Sequence, residues 1–156
     1  MGVYAVSRND EVAVVYIKNP PNRWGTAYGT FAAIAEAGVD VNMIIQTASA
    51  GSSGQGVDIV FAIDRCNAEK TQGILGALFG DSEATEVIID TDVAKIMVMG
   101  DEMQGKPGVA AQVFRCLWND GVHIINISAS EIGISMLVAS DDAKKAMDCL
   151  TRDFNI

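Results

Sequence analysis

The chain has 156 residues, of which 49% are hydrophobic and 20% charged, and its formal net charge is −9. That composition belongs to a globular protein and not to a disordered one. The acidic balance and the absence of a Lys/Arg cluster argue against nucleic acid and against an anionic membrane surface. No apolar run is long enough to span a bilayer, and no signal peptide opens the chain.

Val3–Val6 is short and β-prone, and Ser7–Asp10 is expected to interrupt it. Val12–Ile17 is a nearly continuous apolar run, as in a central strand covered on at least one face. Lys18–Gly25 (KNPPNRWG) reads as a loop. Thr26–Ala37 reads as a helix ended by Gly38, and Val39–Thr47 as a strand. After the Gly/Ser-rich loop at 50–56 comes a strand at Val57–Ile63. Asn67 is placed to cap a helix at Ala68–Phe79, in which Gly73 and Gly76 suggest close packing on a sheet. Glu86–Ile89 is a short strand. Val93–Met99 is a strand, the loop 100–107 follows, and Val109–Asp120 is a helix ended by Gly121. Its apolar Ala110, Val113, Phe114 and Leu117 follow the i, i+3, i+4, i+7 series of one helical face. Val122–Ala129 and Ile132–Ala139 are strands. Ser140 is placed to cap a last helix, with Asp141 and Asp142 in its first turn. Cys66, Cys116 and Cys149 are odd in number and show no CxxC spacing. They read as free thiols in a reducing compartment, packed in the core, so a cytoplasmic protein is expected.

One pattern occurs twice. Gly25, Phe31, Gly38, Val39 and Ile44 recur as Gly108, Phe114, Gly121, Val122 and Ile127, each 83 residues later. A duplicated supersecondary unit follows, of about 70 to 80 residues per copy, near the size at which a core alone is marginal. Each copy reads β-α-β-β-α-β, the ferredoxin-like arrangement, an α+β fold of antiparallel sheets with helices on one face. The expected domains are 1–90 and 91–156. The second copy ends before its fourth strand, and Val3–Val6 is a candidate to fill that place, shared between the domains.

No catalytic set is visible, and the enzyme question is left open. His123 is the one histidine, and no HExxH, GxSxG, P-loop or Cys/His cluster occurs. Neither cofactor nor metal is expected. The informative places are the two strand–loop–helix junctions. A glycine opening a helix leaves backbone N–H groups and the positive end of the dipole facing outward, a receptor for a carboxylate. Asn42, Gln46 and nearby carbonyls are suited to hold an ammonium group, so a junction of this kind suits an amino-acid zwitterion.

The residues also resemble a family. Gly-Lys-Pro-Gly-Val-Ala-Ala at 105–111 and Asn-Ile-Ser-Ala-Ser-Glu-Ile-Gly-Ile-Ser at 126–135 resemble the second ACT domain of aspartate kinases. The stretch AEAGVDVNMIIQTAS at 35–49 and Gly56-Val-Asp-Ile59 resemble its partner domain. The resemblance implies two tandem ACT domains that dimerise through their sheets and bind a regulatory amino acid, threonine or lysine. They would give allosteric feedback control at the head of lysine, threonine and methionine biosynthesis. It implies as partners that effector, a second copy of the chain, and the catalytic domain or subunit of an aspartate kinase, which this chain does not contain. The alternatives are a dimerisation scaffold without ligand, or a stand-alone ACT regulatory protein. Carried over by position, the effector-binding residues are Asn22, Gly25, Thr26, Val41, Asn42 and Gln46, with His123 and Ile124 from the second copy. The first-copy loop departs from the family's Asp-Lys-Pro-Gly, having no acid, and Asn42 stands where the family often has Asp. Each charge-assisted hydrogen bond so lost weakens a cationic lysine site by about 1.5–3 kcal/mol.

Overall fold

A computed structural model describes residues 2–21, 25–48, 57–101 and 107–156. The chain forms two compact units: Glu11–Thr91, and Met1–Asp10 together with Asp92–Ile156. The first ten residues thus lie with the second copy, and the chain passes between units twice.

The Glu11–Thr91 unit runs β2 (Val12–Lys18), α1 (Thr26–Glu36), β3 (Val41–Ala48), β4 (Val57–Asp64), α2 (Ala68–Phe79), β5 (Glu86–Asp90). Its antiparallel sheet has the order β3-β4-β2-β5. The apolar run of β2 occupies a central place, bonded on one side to β4 and on the other to β5. Ala13, Val15 and Ile17 of β2 and Ile59, Phe61 and Ile63 of β4 form one face. Ile34 of α1 and Leu75 of α2 close over it, and the Phe31 and Phe61 rings meet edge to face at 5.3 Å. This alternation is what a sheet with helices on one face requires.

The other unit runs β6 (Val93–Gly100), α3 (Val109–Asn119), β7 (Ile124–Ala129), β8 (Gly133–Ala139), α4 (Ala143–Phe154). Its sheet has the order β1-β6-β8-β7, so β1 (Val3–Asn9) stands where a fourth strand belongs. The register runs from Val3 opposite Gly100 to Asn9 opposite Lys95, and Val3 and Val6 pack on the core of this unit. Gly133 opens β8 because a Cβ there would come within 2.6 Å of the Val98 carbonyl oxygen.

Four expectations need correction. The polar Ser7, Arg8 and Asn9 do not interrupt the first strand; they continue it opposite Met97, Ile96 and Lys95. An edge strand bonded through its backbone tolerates polar side chains that face water. Gly73 and Gly76 do not pack on the sheet: both are exposed, with open space around them. Ser140 and Asn67 do not cap by side chain. Each belongs to a short 3-10 turn, Ser140–Asp142 or Arg65–Asn67, that leads into the following helix. Cys66 is exposed, unlike Cys116 and Cys149.

Removing residues 1–10 strips Val3 and Val6 from the second core and leaves β6 without its outer partner. Burial of two partly covered valines is worth about 2 kcal/mol. The Asp92–Ile156 unit should then melt roughly 10 °C lower, with hydrogen exchange accelerating in β6 and β8 and not in β2 and β4. Exchange measured by mass spectrometry on the truncated chain checks this.

Candidate functional site

Both repeat junctions are built alike. Gly25 precedes α1 at φ 87°, and Gly108 precedes α3 at φ 111°. A residue with a Cβ is strained at either angle, so glycine is required by the backbone itself. Each glycine's carbonyl accepts the first helical hydrogen bond, at 2.9 Å, from Gly29 or Gln112. Neither helix has a side-chain cap or an acidic residue in its first turn. The first N–H groups of both helices therefore have no intrahelical acceptor and carry the positive end of the dipole.

The candidate residues sort themselves by position along the edge strand β3. Gln46 is exposed and lies opposite Ile59, one row from the end of β2 that leads toward Gly25 and Thr26. Val41 and Asn42 lie opposite Ile63 and Ala62. Val41 and Gln46 are thus separated by four residues of β4, or about 14 Å. Within one chain Val41 and Asn42 are not brought to the Gly25 end. The side chain of Val41 packs into the core, leaving its backbone at the edge. A bulge with Met43 at φ 54° interrupts the β3–β4 register between Asn42 and Ile45. His123 and Ile124 stand at the start of β7, the corresponding edge strand of the other unit. His123 is exposed, and Ile124 packs on its own core as Val41 does. Thr26 donates its hydroxyl to the Pro21 carbonyl at 2.9 Å. Asn22 and Trp24 fall outside the described residues.

Beside the α1 start lies an open hollow of about 200 Å³ lined by Pro21, Thr26, Gly29, Thr30, Leu78 and Phe79. The Thr26 and Thr30 hydroxyls in it are already bonded to backbone carbonyls. It offers a zwitterion no charged group, so the helix start and the strand edge remain the better receptor. Among the described residues no His, Cys, Asp and Glu side chains gather as a metal site. No helix among them is long and apolar enough to cross a membrane.

The residues that hold the junction in place were not foreseen. Asp58 and Thr85 each bond the backbone of Asn19, across 39 and 66 positions of sequence. The one local sign was an asparagine before two prolines, a residue type that tolerates left-handed backbone.

Two ferredoxin-like units in one chain, each opening its first helix on a left-handed glycine beside a free edge strand, define a tandem ACT module. Comparison with known proteins agrees. The sequence profile of the ACT domain family matches residues 96–154. The aspartokinase of Corynebacterium glutamicum is 32% identical over 155 residues, covering 99% of this chain and 36% of that protein. A crystal structure of aspartokinase alpha and beta subunits superposes with a TM-score of 0.88 at 30% identity, covering 99% of both chains. The ligand-free regulatory subunit of aspartate kinase from Thermus thermophilus gives 0.88 at 26% identity, over 97% of this chain and 98% of that one. The chain belongs to the family of aspartokinase regulatory ACT regions. It spans just over a third, 36%, of the length of the first curated aspartokinases it matches.

The cysteines take no part in the site. Burial raises the thiols of Cys116 on α3 and Cys149 on α4 above the ordinary range, and each lies close enough to the other to share a hydrogen bond. Cys149 also donates to the Ala146 carbonyl. A thiol held protonated and covered is a poor nucleophile. A thiol-specific reagent should therefore label Cys66 rapidly in the native protein, and Cys116 and Cys149 only on unfolding. Peptide mapping after a brief pulse checks this; labelling of Cys116 in folded protein would contradict it.

Proposed function

We propose that the chain is the amino-acid-sensing part of an aspartate kinase, binding threonine or lysine where two ACT sheets meet edge to edge. The observation that carries this reading is the sorting of the candidate residues to opposite ends of edge strands. Two edge strands that pair antiparallel place the end of one beside the start of the other. The α1 start at Gly25 and Thr26, with Gln46, then faces the start of the partner's edge strand. That start is Val41 and Asn42 in one copy of the repeat and His123 and Ile124 in the other. Residues about 14 Å apart in one chain thus become a single pocket when a second chain is added. The helix-start N–H groups receive the ligand's carboxylate. Gln46, Asn42 and backbone carbonyls at the strand starts receive its ammonium and side chain.

A homodimer is therefore part of the reading. Control is allosteric: a ligand that prefers one arrangement of the paired sheets biases the attached or associated catalytic domain toward its inhibited state. The soluble setting of aspartokinase chemistry makes the cytoplasm the expected location. A scaffold that dimerises without ligand is the competing reading. It is favoured by the absence of a carboxylate among the candidate residues.

A thermal-melt titration with lysine, threonine and methionine decides between them. One of the first two should raise the melting temperature saturably, by about 5 °C or more at a hundredfold excess over its dissociation constant. Gln46→Ala lies on an exposed edge position and should leave the unliganded melting temperature within about 1 °C. It should weaken binding by roughly tenfold to a hundredfold, the value of a hydrogen bond to a charged group. Flat curves for all three amino acids, with a dimer present by light scattering, would sink the sensing reading.

A further inference from the structure

The loop between β2 and α1 is fastened from outside itself. The chain leaves β2 at Lys18, and Asn19 takes a left-handed conformation at φ 52°. Its N–H donates to Asp58 Oδ1 of β4 at 2.8 Å. Its carbonyl accepts the Thr85 hydroxyl at 2.9 Å, and its side-chain Nδ2 donates to the Ala84 carbonyl at 3.2 Å. Thr85 Oγ1 lies 2.8 Å from Ser82 Oγ. A hydroxyl has one proton, and Thr85 gives it to Asn19, so Ser82 is the donor in that contact. Asn19 is thus held on three sides, by the start of β4 and by the corner between α2 and β5.

From there the path to the helix is stiff. Pro20 is buried, and both Pro20 and Pro21 have fixed φ. The Pro21 carbonyl is bonded to Thr26 Oγ1, in the first residue of α1, at 2.9 Å. Thr26 in turn accepts the Thr30 hydroxyl through its carbonyl at 2.8 Å. A continuous chain of short bonds and rigid residues therefore runs from the α2–β5 corner, through Asn19 and the prolines, to the start of α1.

We infer that Asn19, Asp58 and Thr85 are positioning residues for the ligand-receiving start of α1, so that the corner Ser82–Thr85 sets how firmly that helix start is held. This rests on the amino-acid-sensing reading for its purpose, though not for its geometry. None of the three touches the proposed ligand; they act through the prolines and Thr26. The candidate residues carry no carboxylate. A neutral receptor gains by being held in place beforehand, because less ordering remains to be done on binding. It also makes the α2–β5 corner responsive to the ligand, since a coupling between two places acts in both directions.

Two variants test it. Thr85→Val removes the hydroxyl and keeps the shape at a half-buried position. Asn19→Gly keeps the left-handed backbone and removes only the Nδ2 bond. Hydrogen exchange is read by NMR at Gly29, Thr30 and Phe31, the first bonded amides of α1, and at β2 and β4 as reference. In Thr85→Val, exchange at the α1 amides should rise about fivefold, the change for one neutral hydrogen bond, with β2 and β4 unchanged. Asn19→Gly should move the same amides by a smaller factor. The affinity for whichever of lysine or threonine shifts the wild-type melting curve should fall about fivefold in Thr85→Val. Unchanged exchange at the α1 start overturns the inference, as does a uniform rise across β2, β4 and α1, which reports loss of global stability alone. Loosened α1 amides with unaltered affinity also overturn it. If neither amino acid shifts the wild type, the sensing reading fails, and the exchange pattern alone decides the clamp.

Discussion

The pairing of β1 with β6 is the contact on which the rest of the molecule depends. Without it the Asp92–Ile156 unit has three strands, an open β6 edge and a core bare along one side. A ferredoxin-like unit of this size buries little enough that a missing edge strand matters. The chain supplies the strand from its opposite end, and in doing so ties the two units by two crossings of the backbone in place of one. Neither unit is then a simple segment of sequence. The Glu11–Thr91 unit holds all six of its own elements, while the other is assembled from both ends of the chain.

With both sheets complete, the edges that remain are β3 and β5 of one sheet and β7 and β1 of the other. The edges β3 and β7 occupy the same place in the two copies. Each carries a break in register near its start, at Asn42/Ile45 and at Ile124/Asn126. Bulges of this kind bend an edge strand and limit open-ended pairing with other chains. An edge that is bent, backed by a packed core and flanked by an uncapped helix start suits a specific partner of limited length. That is the physical basis for proposing an amino-acid site there, and the proposal asks for no catalytic group.

Much of this was legible in the sequence because the signals were local. The repeat at a constant offset of 83 residues, the apolar run of β2 and the glycines before and after α1 and α3 each fix a local conformation. The left-handed angles at Gly25, Gly38, Gly108 and Gly121 follow from residue type and position alone. What misled was polarity taken as a sign of loop: Ser7, Arg8 and Asn9 are strand because β6 offers them hydrogen bonds, a fact written some 90 residues away. The exposed Gly73 and Gly76 have no packing role that the structure reveals. The Asn19 clamp was illegible for the same reason as the polar half of β1. Its partners Asp58, Ala84 and Thr85 are set by topology, and no spacing rule joins them. The candidate residues were named one by one, and their arrangement was not legible. The expected strand Val39–Thr47 already separates Val41 from Gln46, but the register that sets Gln46 beside the end of β2, through Ile59, depends on strands distant in sequence.

The central claim is that ligand and second chain complete one another, and native mass spectrometry of the purified chain tests it most directly. Spectra recorded in threonine and then in lysine should show a dimer that carries one of these amino acids, identified by its mass, and a monomer that carries none. A monomer holding the amino acid, or a dimer that stays empty at saturating concentrations of both, would contradict the account.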